Sequence, residues 1–240
     1  MDEGACPVLI MCGGRGRRLG PTTDNLPKPL VKFGNQTVLG HKINCYMAQG
    51  FRDFVFCIGY RGDMIRAEVE KNHRAARMQF SDEGVDAGIL KRLYSARNLF
   101  DQQVIMTYGD TYTDIDLNLL CQAHKDSANE ATIVVGPIQN PFGLVEFDSR
   151  RKVTSFREKP VLNYYIGYAV INRSAFDLIP AQLIDLPDGE GLVMFYKILM
   201  AMDKLGTYLH TGLQVTFNTQ QELARAQQQL SHFYTSREDT

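Results

Sequence analysis

The stretch Val8-Leu9-Ile10-Met11-Cys12-Gly13-Gly14-Arg15-Gly16-Arg17-Arg18-Leu19-Gly20 decides how this chain is read. Its first five residues are a short, continuous apolar run closed by glycine, the pattern of a parallel strand buried on both faces. Glycines directly after a strand let the backbone come close to a phosphate and aim amide N–H groups at it. Arg15, Arg17 and Arg18 add planar guanidinium forks suited to phosphate oxygens. Farther along, Lys28 stands between Pro27 and Pro29, which restrict the backbone that carries it. The segment reads as a polyphosphate site on a long loop. It is not a dinucleotide fingerprint, because the third glycine of that motif is missing at its place. It is not a Walker loop either, because no Gly-Lys-Ser/Thr occurs.

Outward from this strand, apolar runs and helical periods alternate. Residues 54–58 predict a second strand, 78–80 a third, 104–108 a fourth and 131–136 a fifth. Helices are predicted over 36–49, with Val38, Leu39, Ile43 and Tyr46 on one face, and over 63–72, 89–99 and 116–126. That alternation implies an α/β fold: a Rossmann-like, mostly parallel sheet with helices on both faces. After Pro137 the connections shorten, and 143–148, 153–157 and 165–171 predict a small antiparallel region. A helix over 192–205, a short strand over 207–210 and a polar helix over 220–230 follow.

Composition narrows the function classes. The 240 residues are 44% hydrophobic and 22% charged, with a formal net charge of −1. A near-neutral chain has no whole-molecule field for nucleic acid or an anionic membrane, so neither is expected as a partner. No apolar run approaches the roughly 20 residues of a membrane span. The five cysteines are odd in number and lack CxxC spacing, which points to free thiols in a reducing compartment. The acidic start Met1-Asp2-Glu3-Gly4 has no basic leader region, so a cytoplasmic location is expected. Lys71, Arg74 and Arg77 read as a solvated face, and the histidines show no ligand spacing.

Asp110 follows the fourth predicted strand. Ligands of open α/β sheets collect at the carboxyl ends of strands, and a carboxylate there suits Mg²⁺, which keeps waters and substrate phosphates in its shell. The other reading of such an aspartate is a turn or helix cap, the role expected of Asp114 and Asp116.

The glycine loop with Pro27-Lys28-Pro29-Leu30 resembles the signature of sugar-1-phosphate nucleotidyltransferases, most of all glucose-1-phosphate cytidylyltransferases. Phe56-Cys57-Ile58-Gly59-Tyr60-Arg61-Gly62, Leu90-Lys91-Arg92, Tyr108-Gly109-Asp110, Phe142-Gly143 and Phe156-Arg157-Glu158-Lys159-Pro160 resemble that group in order and spacing. The likeness spans about residues 8 to 230 and thins beyond 185.

The resemblance implies one domain over 1–240, with a nucleotide-binding half to about 136 and a sugar-phosphate-binding half beyond it. It implies that Gly13, Gly14, Arg15, Gly16, Arg17, Arg18 and Lys28 hold a nucleoside triphosphate, with the base near Leu9, Gly59 and Gly88. Gly143, Glu158, Lys159, Tyr165, Gly167 and Glu190 would meet the sugar 1-phosphate, although Tyr165 stands where the family usually has Asn. Arg17 replaces a small hydroxyl residue. Asp110 would bind Mg²⁺. The family's second metal carboxylate has no counterpart in 214–219, where Asn218 is the positional match and Thr216 the other option. Arg18, Lys28, Asp110 and Lys159 would carry catalysis. The expected reaction joins a nucleoside monophosphate, from CTP by preference, to a sugar 1-phosphate and releases pyrophosphate. A GTP-dependent mannose- or heptose-1-phosphate guanylyltransferase and a non-catalytic nucleotide-sugar-binding paralogue are the alternatives. A homo-oligomer is compatible with each.

Overall fold

The computed structural model describes residues 6–217 and 219–238, with side chains for all of these except Arg17, Thr22, Gln229 and residues 231–238. Each apolar run of the alternating region becomes a strand. They are β1 (Val8–Met11), β2 (Asp53–Ile58), β3 (Arg77–Asp82), β4 (Gln103–Tyr108) and β5 (Ala131–Gln139). β6 (Val161–Asn172) and β7 (Leu205–Leu209) complete a seven-stranded sheet in the order β7-β5-β6-β4-β1-β2-β3. β1 pairs in parallel with β2 and β4, β2 with β3, and β7 with β5. β6 alone runs against its neighbours β4 and β5.

That placement of β6 corrects the sequence expectation for 165–171. The run lies inside the main sheet, not in the small antiparallel region, because residues 166–171 are all buried and need cover on both faces. What remains of the small region is a two-stranded hairpin, Leu144–Phe147 with Val153–Arg157.

The helices are α1 (Val38–Ala48), α2 (Gly62–Asn72), α3 (Ile89–Ser95), α4 (Leu117–Ser127), α5 (Ala181–Ile184), α6 (Glu190–Ala201) and α7 (Gln220–Glu238). Successive strand side chains point to opposite faces, so the core divides in two. Val8, Ile10, Phe54 and Phe56 pack with Leu39, Ile43, Ile65, Val69, Leu117 and Leu120 of α1, α2 and α4. Leu9, Val55 and Cys57 pack on the other side with Leu90, Leu93, Leu183, Leu192 and Phe195 of α3, α5 and α6. A third cluster joins Leu19, Phe33, Tyr112, Val215, Phe217, Ala226 and Leu230. It presses α7 and a short strand pair, Thr111–Thr113 with Gln214–Thr216, against the glycine loop. The C-terminal segment, where the sequence resemblance thins, therefore supports the loop where it is most specific.

Thr37 caps α1 by accepting from the amide of Gly40 at 3.0 Å. Asp116 caps α4 by accepting from Asn118 and Leu119 at 2.8 and 3.0 Å. Asp114 is not a cap: its carboxylate faces His210 Nε2 at 3.2 Å. All five cysteines are free thiols. Among the described residues no helix is long and apolar enough to cross a membrane.

His124 is buried between Thr132 Oγ1 at 2.8 Å and Asn172 Oδ1 at 2.9 Å, tying α4 to β5 and β6. Burial holds its imidazole below the usual 6.5. The native state thus refuses a proton that the unfolded chain accepts, so stability is full above the unfolded value and falls as pH drops below it. His124→Gln is expected to flatten that acid-side slope. Urea unfolding at ~pH 7.5 and ~pH 5.5 measures it. The parent should lose more stability between the two than the variant, and equal losses would assign the slope to other groups.

Candidate active site

β1, β2 and β4 end at one level, with Met11 paired to both Cys57 and Tyr108. Beyond these ends opens a cleft of about 670 Å³. Its position at the carboxyl edge of the sheet is where such folds take ligands. The glycine loop from Met11 to Arg18, with Lys28 and Pro29, forms one wall. Val85, Asp86, Ala87 and Ile89 form another, and Tyr108, Asp110, Pro187 and Asp188 close it.

The loop is held from several sides. Gly16 adopts φ 63°, a left-handed conformation in which a side chain would be strained. Leu19 is buried in the third cluster, and Thr23 Oγ1 donates to the carbonyls of Gly16 and Gly20 at 3.0 and 3.2 Å. Tyr60 OH donates to the Asp24 carbonyl at 2.6 Å, and Arg61 reaches the same carbonyl and Asn25 Oδ1. Arg15 lies over the Tyr60 ring, 5.7 Å from its centre. Arg15 and Arg18 are exposed at the cleft surface, free of buried commitments and therefore placed to meet an anion.

Among the described cations of the loop Lys28 is the deepest, with a side chain 7% exposed. Its Nζ lies 2.6 Å from Asp110 Oδ2 and 4.9 Å from the centre of the Phe217 ring. This bond crosses 82 residues of chain and joins the glycine loop to the end of β4. The amide of Gly109 donates to the Met11 carbonyl at 2.9 Å, so the two strand ends are also linked by backbone.

A buried guanidinium organises the opposite wall. Arg92 of α3 is 4% exposed and donates to the carbonyls of Ile58 at 2.5 Å, Gly84 at 2.6 Å and Ala87 at 3.1 Å. Burial lowers its pKa, offset in part by Cys57 and the carboxylates of 82–86. Its fork occupies the space a Cβ on Gly13 would need, with Nη1 2.2 Å from that position. Burial also raises the thiols of Cys12 and Cys57, the latter to about 12, so neither offers a thiolate at neutral pH. Among the described residues no histidine lines the cleft. Cations, backbone amides and the carboxylates of Asp86, Asp110 and Asp188 remain, a set suited to positioning phosphates and stabilising their charge.

The sequence profile described as nucleotidyl transferase matches residues 7–184. The chain belongs to that family. Among its relatives, the glucose-1-phosphate cytidylyltransferase of Salmonella typhi is 27% identical over 240 residues, covering 88% of this chain and 91% of that protein. The mannose-1-phosphate guanyltransferase of Aspergillus fumigatus is 33% identical over 185 residues, covering 73% of this chain and 50% of that protein. The solved structure of HddC from Yersinia pseudotuberculosis complexed with GMP-PN superposes with a TM-score of 0.70 at 19% identity, over 94% of this chain and 99% of that one. That last likeness is one of fold.

In this nucleotidyl transferase, Gly13, Gly14, Arg15, Gly16, Arg18, Lys28 and Asp110 share the cleft. Arg17 begins a 3-10 turn over Arg17–Thr23, and its side chain lies outside the described set. Leu9 has no exposed surface and belongs to the core, so Met11 and Cys12 are what β1 presents to the cleft. Gly59 and Gly88 pack backbone-close behind the lining, against Gly84 and Leu186. The residues expected on the acceptor side divide into three places. Gly143, Glu158 and Lys159 gather on the hairpin, where Lys159 Nζ lies 3.9 Å from Glu158 Oε1 and both are exposed. Lys159 holds φ 40°, uncommon for a residue with a side chain. Tyr165 and Gly167 sit behind Tyr108, whose ring is in the cleft. The Tyr108 and Tyr165 rings meet edge-on at 6.3 Å. Glu190 opens α6, two residues past Asp188. Asn218 lies outside the described residues, and Thr216 is exposed and pairs with Thr111, next to Asp110.

Sequence reasoning gave Arg92 and Tyr108 no role, and of the 85–89 wall it named only Gly88. A charged residue between Leu90 and Leu93, both buried, was the available signal for Arg92.

Gly13→Ala is expected to displace the Arg92 fork, costing about 1–3 kcal/mol of stability and weakening triphosphate binding about tenfold. Gly14→Ala, whose Cβ would meet nothing within 4 Å, should keep full stability. Denaturant unfolding and calorimetric nucleotide titration of both variants check this, and equal stabilities would remove Arg92 as the reason for Gly13.

Proposed function

We propose that this chain transfers a nucleoside monophosphate from a nucleoside triphosphate to a sugar 1-phosphate, with CTP as the favoured donor. The observation that carries the reading is the Lys28–Asp110 contact at 2.6 Å inside a glycine-loop cleft that also presents Arg15 and Arg18. A polyphosphate needs the cations, and a divalent ion bound with it would need the carboxylate. The preference for CTP is supported by the cytidylyltransferase relative that matches nearly end to end. A second reading, GTP with mannose 1-phosphate, is supported by the 33% identity to the Aspergillus guanyltransferase.

The donor set fits Mg²⁺. Among the described residues no group of three or more His, Cys, Asp or Glu is placed to cage a metal. Mg²⁺ is commonly held by one or two carboxylates together with substrate phosphates and waters, and Asp110 supplies the first. Bound there, the ion would neutralise charge on the triphosphate. Thr216, or Asn218 outside the described residues, would be the neutral neighbour in place of a second carboxylate.

The chemistry is a single displacement. A phosphate oxygen of the sugar 1-phosphate attacks the α-phosphorus, and the bond from that phosphorus to the bridging oxygen of the β-phosphate breaks. The electron pair leaves with pyrophosphate. The attacking oxygen is already ionised at neutral pH, so the residues serve position and charge. Lys28 and Arg18 would take the triphosphate oxygens, and the Gly13-Gly14 backbone would let them close in. Lys159 would hold the sugar phosphate while Glu158, Gly143 and Glu190 meet the sugar. Tyr165 and Gly167 would set the shape behind Tyr108. The two halves, to about residue 136 and beyond it, would thus divide donor from acceptor.

A matrix of CTP, GTP, UTP and dTTP against glucose, mannose and heptose 1-phosphates, read by pyrophosphate release, tests the reading. The highest turnover is expected with CTP. Triphosphate binding without release from any pair would instead support a regulatory, non-catalytic paralogue.

Asp110→Asn should reduce Mg²⁺-dependent turnover by about 100-fold, and near-normal turnover in folded protein would remove Asp110 from the metal site. Lys159→Ala should raise the KM for sugar 1-phosphate about tenfold and leave triphosphate affinity within about twofold. Equal loss of both in calorimetry would contradict the division between the halves.

A further inference from the structure

The buried face of α1 carries a cation. Leu39, Lys42, Ile43 and Tyr46 fall at i, i+3, i+4 and i+7, one stripe of the helix, and none is more than 1% exposed. A lysine in that stripe forfeits hydration and must be bonded inside the protein. Lys42 Nζ donates to the backbone carbonyl of Tyr108 at 2.6 Å and to that of Thr111. It also lies 4.8 Å from the centre of the Tyr168 ring and 5.9 Å from that of Tyr46, contacts that favour a cation. The two phenols are hydrogen-bonded to each other at 2.9 Å.

Only Gly109 and Asp110 stand between the two carbonyls. Lys42 therefore holds both shoulders of the turn that presents Asp110 to the cleft, from the side away from the ligand. Lys28 holds the carboxylate itself, from the cleft side. The two lysines differ in what nucleotide binding asks of them. Lys28 must be released to serve a triphosphate, and a turn anchored by Lys28 alone would loosen at that moment. Lys42, sealed in the core and bonded to backbone, stays.

We propose that Lys42 is a positioning residue that fixes the Asp110 turn so that the carboxylate keeps its place when Lys28 turns to the nucleotide. The proposal rests on the reading of Asp110 as the metal carboxylate. It gives a leucine-like core position a role in the site, through carbonyls rather than through contact with substrate.

Lys42→Met keeps the volume and removes the donors, and Lys42→Gln keeps a shorter, neutral donor. Amide hydrogen exchange of the metal-free, nucleotide-free protein is the first readout. In Lys42→Met, exchange across 109–112 should quicken about tenfold while the amides of β1 stay within about twofold, with Lys42→Gln between. The second readout is Mn²⁺ binding with a non-hydrolysable CTP analogue, followed by electron paramagnetic resonance. Lys42→Met should weaken it about five- to tenfold, the worth of one or two lost hydrogen bonds. Adding Lys42→Met to Asp110→Asn should weaken it no further, because the effect travels through Asp110. If Lys42→Met does not fold, Lys42→Gln is read in its place. Unchanged exchange at 109–112, or equal quickening there and in β1, would overturn the proposal by making Lys42 an ordinary core residue. Mn²⁺ affinity unaltered by Asp110→Asn would instead overturn the reading of Asp110, and the exchange data would still decide whether Lys42 anchors the turn.

Discussion

The site depends on one contact, the bond between Lys28 and Asp110. It links by side chains two loops whose strand ends the sheet already joins through backbone. β1 and β4 are parallel neighbours, so their following loops leave the sheet at the same edge. Arg15, Arg18 and Lys28 repel one another along one wall, and Asp110 is a carboxylate in direct contact with that set. Asp110 relieves that repulsion, and Lys28, nearly buried, is screened by salt much less than a surface pair would be. On the proposed function, the pair would keep these two groups together until a phosphate and a divalent ion replace both partners.

Around this contact the protein uses buried cations as braces. Arg92 gathers carbonyls from the ends of β2 and from 84–87 into one wall. Lys42 gathers those of Tyr108 and Thr111 below the other. Both are buried, Arg92 at the edge of the cleft, and both are bonded chiefly to backbone. A buried charge costs solvation, and it is tolerated where several hydrogen bonds replace the lost water. The return is geometric. Apolar packing alone is tolerant of small shifts, whereas a donor shared by two carbonyls fixes both. Catalysis by positioning needs that kind of scaffold, since small misplacement of reacting groups is expensive.

Much of this was legible in the sequence. The five apolar runs, their alternation with helices, and the carboxylate after the fourth strand are local patterns, and local patterns survive into the fold. The glycine loop was legible because its chemistry is written in adjacent residues. The position of β6 was not. Its run resembles any short strand, and only the contact with β4, some 60 residues earlier in the chain, places it in the main sheet. Leu9 and Met11 share a face of β1, and what separates them is depth: Leu9 lies inside the core, whereas Met11 stands at the carboxyl end that meets the cleft. Arg92 and Lys42 hid for a related reason: a single charge in an apolar stripe reads as noise until the carbonyls it serves, from distant loops, are seen around it. Glu158-Lys159-Pro160 stood out as a motif beside the hairpin, but that Tyr165 and Gly167 lie behind Tyr108, and Glu190 at the start of α6, depends on contacts between distant segments.

The central claim is that Lys28 and Asp110 are paired for exchange, each waiting for a different part of the triphosphate complex. A crystal structure with a non-hydrolysable CTP analogue and Mg²⁺ tests it most directly. The account predicts that Lys28 Nζ lies on triphosphate oxygens and has left its 2.6 Å contact with Asp110, whose carboxylate faces the metal. A nucleotide bound with the Lys28–Asp110 contact intact, or bound outside the glycine-loop cleft, would contradict it.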